Sequence, residues 1–96
     1  MDGKQLQRAI QSIGKGCFIK YYELFKDSTQ SNENLVELLM TEERYTENAS
    51  RTRVFNSRRI IRTGHAPEIL ADIMQSTRLD DKTIAKAKEL LRKYPS

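Results

Sequence analysis

The sequence predicts an all-α domain, a compact bundle of five to six short helices. Apolar residues recur at intervals of three and four along most of the chain, which is the spacing of one helix face. No segment alternates convincingly between apolar and polar residues, as a half-buried strand would. With 96 residues the chain has the size of one domain, so we take residues 1–96 as a single helical domain.

Glycines and polar segments divide the first half of the chain into three helices. The first should end before Gly14, because two glycines flank Lys15 and each weakens a helix interior by about 1 kcal/mol. A second, aromatic helix runs to about Asp27. A third covers the apolar segment NLVELLM at 34–40, and the break TEERYT at 41–46 follows it.

Capping residues mark three helices in the second half. Thr46 is a good N-cap for a fourth helix, which should end near Thr63 because Gly64 suits the left-handed position after a helix. Pro67 is well placed to start a fifth helix, and Asp80 can cap a sixth.

The composition is typical of a soluble cytoplasmic protein. The single cysteine, Cys17, cannot form an internal disulfide and offers no cysteine pair for zinc. No run approaches the roughly 20 apolar residues of a membrane span, and the first residues do not resemble a signal peptide. We therefore expect a cytoplasmic protein with no metal, no other cofactor and no membrane partner.

The positive charge is concentrated in one block. The net charge is +4; residues 1–47 carry 6 basic and 8 acidic side chains, and residues 68–96 carry 6 and 5. Residues 48–67, which begin NASRTRVFNSRRIIRTG, carry 5 basic side chains and no acidic one. Uncompensated like charge on a helix costs stability, so this block predicts a polyanionic partner.

A helical wheel of the fourth helix separates two arcs. One arc is small or apolar and should be buried: Ala49, Ser50, Val54, Ser57, Ile60 and Ile61. The opposite arc has the residue types of nucleic-acid recognition: Asn48, Arg51, Thr52, Phe55, Asn56, Arg58, Arg59 and Arg62. Arg53 falls on the inner arc, where its charge needs a partner.

The chemistry of the outer arc suggests a role for each residue. Arginine can make two hydrogen bonds to phosphate or to a guanine edge, and asparagine can do the same with adenine. We assign phosphate contacts to Arg51, Arg58 and Arg62, and base readout to Asn48, Thr52, Asn56 and Arg59. Lys15 and Arg44 are candidates for supporting phosphate contacts.

Whether Phe55 is buried or exposed determines how many residues of the outer arc reach solvent. A phenylalanine in a small domain is more often buried than exposed. Burial of Phe55 would make the fourth helix central and leave Asn48, Thr52, Asn56 and Arg59 exposed between two packed faces.

The third and fourth helices together are similar to a helix-turn-helix unit at about 32–63. The break of six residues is longer than a tight turn and favours the looser tri-helical type. We therefore predict a small DNA-binding protein, a regulator or a nucleoid or mobile-element accessory protein, that binds duplex DNA through residues 48–63. The apolar side of the sixth helix could cover the core or form the seam of a homodimer.

Other interpretations stay open at this stage. The block could be a solvated helix face, since most basic helices bind nothing specific. It could instead meet an acidic protein, which would make the chain a helical protein-interaction module, or it could bind RNA. We expect no enzyme, because His65, the only histidine, lacks an acid–base partner and the paired carboxylates lie at helix ends.

Overall fold

The computed structural model of the chain describes residues 2–95, and its regular structure in that range is entirely helical. The predicted all-α class is therefore confirmed for the described residues. The helices are α1 (Gly3–Ile13), α2 (Lys15–Lys20), α3 (Tyr22–Lys26), α4 (Asn32–Glu42), α5 (Glu47–Arg62), α6 (Ala66–Met74) and α7 (Asp81–Lys93). Within residues 2–95, none of these helices combines the length and the apolar character that crossing a membrane requires.

The prediction of five to six helices was one or two too few for the described residues, in part because the aromatic helix is two short helices. Tyr21 lies between α2 and α3 with φ −110° and ψ 14°, outside the helical region. Hydrogen bonds still run from Tyr21 N to the Cys17 carbonyl and from Phe25 N to the Tyr21 carbonyl. The chain therefore changes direction at Tyr21 without a loop, and no glycine or proline marks the change.

The N-caps predicted at Thr46 and Asp80 are present, and Ser31 caps α4 in the same way. The side chains of Ser31, Thr46 and Asp80 accept hydrogen bonds from backbone N–H groups three residues later, at 3.1, 3.1 and 2.7 Å. Each satisfies a donor that the first turn of a helix leaves free. Gly64 adopts φ 81°, the left-handed conformation expected after α5.

The connection between α4 and α5 is shorter than predicted. Helix α4 continues to Glu42, so four residues, 43–46, separate it from α5 instead of six. Neither Thr41 nor Glu42 opposes a helix as glycine or proline would. The chain turns at Arg44, which adopts a left-handed conformation with φ 58° that non-glycine residues rarely take.

Helix α5 lies at the centre of the packing. It contacts α1, α3 and α4, while α6 and α7 pack mainly against each other. The side chains of Ser50, Val54, Ser57 and Ile60 are 0% exposed. This confirms most of the predicted inner arc; Ala49 and Ile61, at its edges, are partly exposed.

The two buried serines have an unusual environment. Neither Ser50 Oγ nor Ser57 Oγ has a hydrogen-bond partner in the described part of the chain. A buried hydroxyl without a partner is destabilising, but a serine side chain is small. Small side chains at these positions let neighbouring helices approach α5 closely. The small size of serine therefore explains Ser50 and Ser57 better than its polarity does.

Replacing the Ser57 hydroxyl with hydrogen tests this explanation. We expect Ser57→Ala to raise the free energy of unfolding by about 1 kcal/mol, because it removes an unpaired buried hydroxyl and favours the helix. Ser57→Leu should instead lower it by about 1–3 kcal/mol through overpacking. Urea unfolding measures both; a loss of stability in Ser57→Ala would show that the hydroxyl is bonded.

Candidate nucleic-acid interface

The exposed residues of α5 form one narrow stripe. After Glu47, which lies in the first turn, the exposed positions are Asn48, Thr52, Phe55, Arg59 and Arg62. Their spacing alternates between four and three residues, so they line up along the helix axis over about 21 Å. We call these five residues the α5 stripe.

Phe55 is exposed, contrary to the usual fate of phenylalanine in a small domain. Its side chain is 47% exposed, at the middle of the α5 stripe. A rotation of α5 that buried Phe55 would bring Val54 or Ile60 out of the core. The inner arc therefore fixes the orientation of the helix and leaves an aromatic ring in solvent beside the arginines.

Arg51 does not fit the description of an uncompensated charge. Its guanidinium makes two hydrogen bonds to the Glu33 carboxylate of α4, at 3.3 and 3.2 Å, and lies 3.8 Å from Glu47. This pairing raises the pKa of Arg51, with the Glu33 hydrogen bonds as the main cause. Two carboxylates therefore compete with any phosphate for this side chain.

Arg58 connects α5 to the segment between α3 and α4. Its guanidinium donates to the backbone carbonyls of Phe25, Asp27 and Gln30, at 3.2, 2.9 and 2.7 Å. A fourth hydrogen bond, at 2.8 Å, goes to Asn32 Oδ1 at the start of α4. Four of the five N–H donors expected to hold phosphate are used within the chain, which gives Arg58 a structural role.

Arg53 has the partner that its inner position requires. Its guanidinium carbon lies 3.9 Å from the centre of the Tyr45 ring, and Nη1 donates to the Ala49 carbonyl at 3.2 Å. A cation stacked on an aromatic face is stabilised by the ring's quadrupole. Tyr45, in the turn before α5, therefore anchors this charge away from the α5 stripe.

The two supporting residues lie outside the α5 stripe. Lys15, on α2, forms an ion pair with Asp72 of α6 at 3.5 Å, so its charge is compensated. Arg44 is exposed in the turn before α5, and no acidic side chain pairs with it among the residues that the structure describes. Of the two, only Arg44 keeps an uncompensated charge close to α5.

Arg59 and Arg62 are exposed, and no acidic side chain pairs with them in residues 2–95. They line a cleft of about 500 Å³ together with Phe55 and Asn56. Arg59 and Asn56 also line a smaller cleft of about 210 Å³ between α1 and α5. The uncompensated charge of α5 is therefore concentrated in its C-terminal half.

Sequence analysis missed Arg8, which lies on α1 and lines the same smaller cleft as Arg59. The sequence indicated that Arg8 has no ion-pair partner on its own helix, because no acidic residue lies three or four positions away. The packing of α1 against α5 was not predictable from that spacing. Arg8 thus joins Arg59 and Arg62 as an exposed arginine without an ion pair in the described range.

The other reactive side chains do not converge with this surface. Burial raises the pKa of the Cys17 thiol to about 11, so it is protonated at neutral pH. His65 Nδ1 lies 3.4 Å from Glu68 Oε1 at the start of α6, so this histidine has an acidic neighbour, contrary to the prediction. No group of three or more potential metal ligands occurs in the part of the chain that the structure describes.

Comparison with protein-family models, curated proteins and solved structures finds no match to this chain. The geometry and charge of the α5 surface are therefore the basis for proposing a function.

The structural role of Arg58 predicts a large loss of stability when it is removed. We expect Arg58→Ala to lower the free energy of unfolding by about 2–4 kcal/mol, because four acceptors lose a charged donor. The loss should depend only weakly on salt, since these acceptors are neutral and the charge of Arg58 is only a lesser cause of the lowered pKa of the nearby Asp27 carboxyl. Urea unfolding with and without added NaCl measures both effects.

The neighbouring arginine provides a matched control. Arg59→Ala, at an exposed position, should change stability by no more than about 0.5 kcal/mol. Arg58→Lys keeps the charge but lacks the planar fork, so it should restore less than half of the lost stability. Equal free energies of unfolding for Arg58→Ala and Arg59→Ala would contradict the structural role of Arg58.

Proposed function

We propose that the protein binds duplex DNA through the α5 stripe. The observation that carries the proposal is the exposed row itself, which ends in Arg59 and Arg62 with no acidic partner among the described residues. A row of about 21 Å on one helix has a suitable length for the major groove, which admits an α-helix. A polyanion would relieve the repulsion between these arginines.

The two halves of the α5 stripe have different chemistry. Asn48 and Thr52, near the helix N-terminus, have polar side chains that can hydrogen-bond to base edges. The exposed ring of Phe55 can contact the methyl group of thymine. Arg59 and Arg62 can each hold a backbone phosphate with two hydrogen bonds. In this proposal the N-terminal half reads bases and the C-terminal half holds the backbone.

The arrangement of α4 and α5 supports a helix-turn-helix-like mode of binding. The four residues between the two helices fall within the three to four of the tight motif. In that motif the N-terminal residues of the second helix contact base edges. We propose on this basis that α5 is the recognition helix of a cytoplasmic regulator or of a nucleoid or mobile-element accessory protein.

A second candidate function is binding to an acidic protein surface. The exposed Phe55 ring beside Arg59 favours it, because aromatic and arginine side chains dominate the binding energy of many protein interfaces. RNA is a third polyanion that these arginines could contact. Binding assays with duplex DNA, single-stranded DNA and RNA separate the nucleic-acid candidates from one another.

The duplex proposal predicts affinity that depends on salt and on two arginines. With at least two phosphates neutralised, log K should fall with log salt at a slope of about −1.8 or steeper. Arg59→Ala/Arg62→Ala should weaken binding about 10- to 100-fold at 50 mM NaCl, because two charged contacts are lost. Fluorescence anisotropy with labelled duplexes measures both quantities.

Arg92→Ala is the matched control, since it removes an exposed arginine from α7, where basic and acidic residues are mixed. It should leave affinity within about two-fold of wild type. Absence of duplex binding by the wild type at low salt would reject the proposal. Tighter binding of single-stranded DNA or RNA than of duplex would assign the surface to that ligand instead.

A further inference from the structure

We propose that Arg8 of α1 and Arg59 of α5 together hold a single backbone phosphate in the cleft between their helices. This inference rests on the proposed function and extends the binding surface from α5 to α1. The cleft measures about 210 Å³ and is lined by Gln5, Arg8, Ala9, Ser12, Asn56 and Arg59. Two cations from different helices thus line one polar cleft.

The charge of this cleft is unbalanced. No acidic residue lines it, and neither Arg8 nor Arg59 forms an ion pair with any residue of the described range. The acidic side chain nearest in the sequence is Asp2, whose Oδ1 accepts a hydrogen bond from Gln5 N at 2.8 Å as the N-cap of α1. The cap therefore uses that carboxylate, and the arginines keep their charge for an external anion.

The polar groups beside the arginines suit a phosphate. The amides of Gln5 and Asn56 both carry N–H donors, which phosphate oxygens accept. Ser12 Oγ donates to the Arg8 carbonyl at 2.9 Å, so its hydroxyl proton is already committed. A phosphate has more acceptor oxygens than a carboxylate. Two guanidinium groups therefore suit a single phosphate better than a single carboxylate.

The position of the cleft identifies the source of the phosphate. Arg59 belongs both to this cleft and to the α5 stripe, so an anion here lies directly beside the proposed DNA contact. Proteins that place a helix in the major groove also contact the flanking backbone from a neighbouring helix. A phosphate of the same duplex fits this position better than an unrelated free anion, because the two contacts then reinforce each other.

The test measures duplex affinity for wild type, Arg8→Ala, Arg59→Ala and the double variant, using two duplexes of unrelated sequence. Arg8→Ala should weaken binding to both about 10-fold at about 50 mM NaCl, and the double variant, which leaves the shared phosphate without a cation, should make the salt slope shallower by about 0.9. Because the two arginines share one phosphate, the double variant should lose less than the product of the single losses. Arg92→Ala serves as the control, and urea unfolding should show that Arg8→Ala retains the wild-type stability.

The outcomes separate this inference from the proposed function. If Arg59→Ala weakens binding while Arg8→Ala leaves affinity unchanged, the shared site is wrong and the α5 surface stands. Losses that multiply would show two separate phosphates and would also overturn it. If wild type binds no duplex, both proposals fail. Arginine Nε–H NMR signals of Arg8 and Arg59 should shift with duplex; an equal response to inorganic phosphate alone at the same phosphate concentration would assign the cleft to a free anion.

Discussion

Helix α5 packs against α1, α3 and α4, and this packing determines which of its side chains are exposed to solvent. Ser50, Val54, Ser57 and Ile60 are fully buried, and they fix the rotation of the helix about its axis. Neighbouring helices partly cover both flanks, so after Glu47 only one row of side chains is fully exposed. The α5 stripe is a consequence of this burial, because any rotation that changed the row would expose part of the core.

The same packing gives the arginines of α5 different roles. Arg53 stacks on Tyr45, Arg51 pairs with Glu33, and Arg58 holds four acceptors around the start of α4. These three contribute to the structure of the unbound chain. Arg59 and Arg62 project from the open row and keep their charge uncompensated among the described residues. In the proposed function, the same basic helix braces the fold through three arginines and contacts DNA through the other two.

Local chemistry predicted most of the fold, and long-range contacts account for what it missed. The N-caps at Ser31, Thr46 and Asp80 depend on residues three positions away, and periodicity placed the buried face of α5. The change of direction at Tyr21 has no glycine or proline to signal it. The partner of Arg51 on α4 is 18 residues distant, and those of Arg58 are 26–33 residues distant. Such pairings depend on how the helices pack, which is why the sequence alone placed both arginines in the arc predicted to contact DNA.

Mapping the bound surface by NMR tests the central claim most directly. Titration of the labelled protein with duplex DNA should shift the backbone amide signals of Asn48, Thr52, Phe55, Arg59 and Arg62 most strongly. The mixed-charge face of α7, which includes Lys88 and Arg92, should stay unchanged. Shifts concentrated on α7, or around the cleft lined by Lys20, Lys82 and Lys86, with the α5 signals unmoved, would contradict the account.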